Sequence, residues 1–176
     1  MIRSSAVLIF TGLSLAAAAP AQRPTDLNDL QMVHVAVTAS NIDVAYAHLA
    51  LALSDNPAVR QFAETMIRDH SAVNAQVAAL AARLGVQAQD NPMSRQLLED
   101  AKHIKDDLSR LRGAAFDTYY VNNELKYHRL VNGAVADAFI PNIKNPEVKQ
   151  AFQSALVIFR EHERHAASLV REVAAR

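Results

Sequence analysis

PAVRQFAETMIRDHSAVNAQVAALAARL, residues 57–84, decides the fold. Its apolar positions recur every three to four residues, through Val59, Ala63, Met66, Val73, Val77, Leu80 and Leu84. That period belongs to one face of a long α-helix. Asn56 supplies an N-cap, Pro57 a first helical residue with no amide to leave unpaired, and Gly85 a stop. One member of the stripe is not apolar. His70 stands where a core residue belongs, and a buried ring needs partners for both nitrogens.

The same period extends outward on both sides. The last helix starts after Asn145-Pro146 and reads Val148, Phe152, Ala155, Phe159, His162, Ala166, Leu169 and Val173. A third helix, Ala114 to about Ile140, carries His128 among Val121, Val131 and Val135. The first helix runs from about Leu27 to Leu53, with Thr25 and Asp26 as capping candidates. Its stripe reads Met32, Val35, Ala36, Ala39, Ile42, Tyr46, Leu49, Ala50 and Leu53, with Asp43 among them. Short connections join the first helix to the second and the third to the last. Between these hairpins, Gly85 to Gly113 holds a more polar helix from Asn91-Pro92 to about Arg110. The expectation is an all-α, ferritin-like four-helix bundle with a long crossover carrying a short extra helix.

With 176 residues, 51% of them apolar, the chain can bury a full core. Lys+Arg and Asp+Glu are both 18, so no charge bias draws nucleic acid. No Gly-rich phosphate loop, nucleophile elbow or basic aromatic stripe is present. The absence of cysteine excludes disulfides, thiolate metal sites and a lipid-anchored N-terminal cysteine. Residues 1–21 read as a cleaved secretory signal: Arg3, an apolar run from Ala6 to Ala19, then Ala19-Pro20-Ala21. That leaves one domain, residues 22–176, periplasmic or secreted, with no membrane span after cleavage. Retention of the segment as an anchor is the other reading.

His70, His128 and His162 fall near the middle of their helices, as does Asp43, so helices in register bring the four to one level. Three imidazoles and a carboxylate suit zinc, copper, iron, nickel or cobalt and not magnesium or calcium. Glu124 lies one turn before His128, and Asp117 two turns before Glu124; either could orient a ring or complete a ligand set. The Glu-x-x-His pairs of di-iron bundles are missing, because Ile67, Leu125 and Phe159 occupy those positions. A second reading stays open, in which the layer only fixes packing in a non-catalytic envelope protein. Asp69 is expected to turn toward arginine or solvent. His103 is expected to be exposed, and His165 to flank the layer. His34 and His48 mark an outer face of the first helix with Val37, Val44 and Leu51, a candidate homodimer contact. Buried neutral histidines predict stability that is lost as pH falls through about 6.5.

These segments resemble the bacterial domain-of-unknown-function family 4142. The resemblance is carried by Asn56 to His70, above all the Phe-Ala-x-x-Met-x-x-Asp-His run, by Gly113-Ala114-Ala115-Phe116-Asp117 with Tyr120 and His128, and by His162. It implies a ferritin-like bundle exported to the cell envelope and names no activity. This chain has Asp43 where the family usually has glutamate, one methylene longer. It also has Val157-Ile158 in place of a Leu-Pro pair, which implies a straighter last helix.

Overall fold

The computed structural model describes residues 23–175; the proposed signal, residues 1–21, lies outside them. Five helices carry the fold: α1 (Asp29–Leu53), α2 (Pro57–Leu84), α3 (Pro92–Arg110), α4 (Gly113–Ala134) and α5 (Pro146–Ala174). Asn56 caps α2 and Asn145 caps α5, each followed by proline, while Gly85 ends α2 in the left-handed region at φ 65°.

The start of α1 differs from expectation. Thr25 and Asp26 lie in a separate 3-10 turn (Pro24–Asp26), and Asn28 forms the capping box with Gln31. Pro24 and the Arg23–Asp26 ion pair close that turn before the helix begins. The third predicted helix also does not run evenly to Ile140. It widens into a π-turn (Val135–Phe139), in which the Ile140 amide donates to the Val135 carbonyl, followed by one turn (Ile140–Asn142). Pro141 has no amide for the ordinary ladder, which accounts for the change of register.

Side-chain pairs fix the directions. Tyr127 Oη donates to the Ala39 carbonyl at 3.0 Å and Ser54 donates to Asp117, so α1 and α4 run antiparallel. Arg83 pairs with Glu147 and Asp69 with His162, so α2 and α5 do likewise. Two hairpins joined by one long crossover result, an all-α helical bundle. The crossover helix α3 packs mainly on α1. With α2 and α3 both packed on it, α1 is buried beyond its predicted stripe, at Val33, Thr38, Ser40 and Ala47. Val37, Val44, Leu51 and His34 are half-buried and His48 is exposed. Among the described residues α1 alone is long and apolar enough to cross a membrane, and 50% of that window is buried in the bundle.

The core has two unlike ends. Toward the α1–α2 turn it is filled by Tyr46, Phe62, Met66, Phe116 and Tyr120. The opposite end is built from smaller branched residues with Phe139 and Phe152. The polar layer lies between them.

The Asn145 side chain accepts from the amides of Glu147 at 2.9 Å and Val148 at 3.2 Å. Asn145→Ala should therefore cost about 1 kcal/mol. Urea unfolding would show this as a lower midpoint at unchanged slope; an unmoved midpoint would mean the cap is dispensable.

Candidate metal centre

Each helix of the bundle contributes at mid-length. Asp43 comes from α1, His70 from α2, Glu124 and His128 from α4 and His162 from α5, all buried, with Asp43 and Glu124 at 0% exposure. The ring centroids of the three histidines lie 5.2–5.7 Å apart. The helical period alone brings these side chains inward, and the antiparallel order puts them at one level.

Each ring is held by its outer nitrogen. His128 Nδ1 lies 3.0 Å from the Glu124 carbonyl oxygen, which can only accept, so Nδ1 carries the proton and Nε2 is bare. His162 Nε2 lies 3.0 Å from Asp69 Oδ2. The Arg68 hydrogen bond holds the Asp69 carboxyl below its usual range, so it too is an acceptor and His162 Nδ1 is bare. His70 Nδ1 lies 2.9 Å from Ser40 Oγ, which also lies 3.5 Å from the His70 carbonyl oxygen; when Ser40 donates to that carbonyl it accepts from Nδ1, and that tautomer leaves His70 Nε2 bare. Phe159 stacks on His70 at 4.4 Å and fixes its plane. A hydrogen bond on the far nitrogen is the usual support of a metal-ligating histidine.

The bare nitrogens converge on one another and on Asp43. Asp43 Oδ2 is 3.4 Å from both His70 Nε2 and His128 Nε2, and neither contact is a hydrogen bond. His162 Nδ1 and both Glu124 oxygens likewise have no hydrogen-bond partner among the described residues. Ligand atoms of His70, His128 and His162 lie within 4.8 Å of one another, as do those of Asp43, Glu124 and His128. A tetrahedral ion with ligands at about 2.1 Å separates them by about 3.4 Å. The spacing of Asp43 and the two rings fits that edge.

Burial governs the protonation of the layer. It lowers all three imidazoles, His70 most strongly, and pushes Asp43 up to about 6. Glu124 is raised well above its ordinary value by burial and then by Asp43. The histidines therefore contribute stability above about pH 6.5 that is lost as pH falls. The two carboxyls act in the opposite sense, because the folded state holds their protons more tightly than the unfolded chain. The expected acid loss in the metal-free protein is thus partly offset.

The structure brings Asp43, His70, His128, His162 and Glu124 together. It does not bring Asp117, whose carboxylate accepts from Ser54 and ties the start of α4 to the end of α1. Seven residues separate Asp117 from Glu124, about 10 Å along a helix. Asp69 is the reverse case: it does bond arginine, yet its second oxygen reaches His162 on α5. Ser40 was not distinguished from other small residues of α1 by its spacing. His165 is exposed and sets its ring edge on Phe62, and His103 is exposed.

Comparison with known proteins places the chain in a family. Residues 14–169 match the model of the domain of unknown function DUF4142, and the chain belongs to that family. No curated protein and no solved structure matches it.

Asp43→Asn puts an amide donor against the bare nitrogens in place of a buried carboxylate. In metal-free protein it should raise the melting temperature by about 2–4 °C, equivalent to about 1 kcal/mol. A fall by that amount would show that Asp43 is already paired with a protonated ring.

Proposed function

We propose that this DUF4142 bundle binds one divalent transition-metal ion, with His70, His128, His162 and Asp43 as ligands. Glu124 supplies the second negative charge that balances the ion. The observation that carries this reading is the set of buried imidazole nitrogens and carboxyl oxygens facing one another with no hydrogen bond between them. Facing acceptors in a dry interior repel, and one cation satisfies them together. Three nitrogens and a carboxylate select zinc, copper, iron, nickel or cobalt over magnesium and calcium. A packing-only layer would have to leave groups from five side chains unpaired at once.

The reading extends to a role in metal handling, metal sensing or stress protection in the cell envelope. Its support is the apolar run and Ala19-Pro20-Ala21 at the N-terminus, which fit an export signal. With Asp43 inside the bundle and half its apolar window buried, α1 fits a core helix better than a membrane anchor.

Metal analysis of protein purified from the periplasm should find one ion per chain, lost in each of His70→Ala, His128→Ala and His162→Ala. Free ion at a thousandfold excess over Kd should stabilise the wild type by about 4 kcal/mol. If no divalent ion raises its melting temperature, the proposal fails.

Acid supplies a second test. Binding needs neutral rings and ionised carboxyls, so every group of the layer opposes it as pH falls. The metal-induced rise in melting temperature should shrink from about pH 7.5 to about pH 5.5, most steeply near the Asp43 value of about 6. An unchanged rise would place the ion elsewhere.

A further inference from the structure

The core on the two sides of the layer is filled differently. On one side aromatic rings close it: Tyr46, Phe62, Phe116 and Tyr120 are all 2% exposed or less. On the other a cavity of about 50 Å³ remains, with Asp43, His70 and His128 at its floor. Its walls are mostly apolar and come from all four bundle helices, with Ala36, Ala155, Val73 and Val131 beside the larger Phe152 and Leu156. Where alanines and valines face one another across the helices their side chains are too short to fill the space between the larger residues. The π-turn begins at Val135, another wall residue, and such turns recur beside functional sites. Half-buried wall residues, Val37, Asn74 and Val77, bring one side near the surface between α1 and α2.

We propose that this chamber admits a small, neutral, apolar molecule, of the size of dioxygen, to the imidazole–carboxylate layer. Apolar walls disfavour ions and strongly polar molecules, which would lose hydration without replacement. Water finds partners at the floor and at few wall groups, Asn74 and the Asn132 side-chain carbonyl oxygen among them. An apolar cavity of roughly 150 Å³ stays dry and takes benzene or xenon, so a third of that volume suits two or three heavy atoms. The floor groups are the ones assigned to the ion, so an occupant of the chamber sits against it. That contact rests on the metal reading; the chamber itself does not.

Xenon is the probe, because it reports apolar space without chemistry. Xenon-129 resonance of the full mature protein should show saturable binding. Ala36→Leu and Ala155→Leu, each growing into the chamber, should weaken it by about tenfold while circular dichroism and metal content hold. In cobalt-loaded protein the paramagnetic ion should shift and broaden the bound xenon signal relative to the zinc form. Saturable xenon binding in a protein that takes up no divalent ion would sustain the chamber and remove the metal reading. No saturable binding, or binding that neither variant weakens in a folded protein, overturns the chamber. A xenon signal indifferent to bound cobalt overturns its contact with the layer.

Discussion

Hydrogen-bond acceptors that meet in a dry interior repel unless something positive lies between them. Around Asp43 this constraint is concentrated to an unusual degree. Two bare imidazole nitrogens approach one carboxylate oxygen at 3.4 Å, a third imidazole faces them, and a second carboxyl lies alongside. Burial reinforces the conflict, since no residue of the layer is more than 4% exposed. One divalent cation removes it, and so does partial protonation of the carboxyls at a lower level of satisfaction. The chemistry of the layer is the contest between these two.

The remainder of the architecture keeps that contest in place. Ser40, the Glu124 carbonyl and Asp69 each take the outer nitrogen of one ring, so the inner nitrogens cannot turn away. The Glu124 bond lies within α4, while Ser40 ties α1 to α2 and Asp69 ties α2 to α5 at the level where the polar groups are least satisfied. The aromatic half gives rigidity behind the layer, and the valine and alanine half leaves room in front of it. A bundle built only for stability would gain from filling that room.

Helical periodicity carried most of the fold. The alternating spacings of three and four from Val59 to Leu84 and from Val148 to Val173 define both ends of α2 and the start of α5, because Asn-Pro opens each and Gly85 closes α2. Mid-helix depth likewise picked out Asp43, His70, His128 and His162. What spacing missed depended on partners distant in sequence. Asp69 reaches His162 across 93 residues, and the angle of its own helix speaks only of its departure from His70. Asp117 shares the α4 face with Glu124, and facing is not height. Asn28 outcompeted Thr25 and Asp26 as a cap because Pro24 turns the chain early. The wide buried arc of α1 required knowing where α2 and α3 lie.

The protonation pattern of the three rings is the most direct test of this account, and nitrogen-15 imidazole resonances of the metal-free protein near neutral pH report it. His70 and His128 should each carry one proton on Nδ1 and His162 one on Nε2, with the bare nitrogen of each ring shifting when zinc is added. A ring protonated on both nitrogens, or the opposite tautomer at His128 or His162, would contradict it.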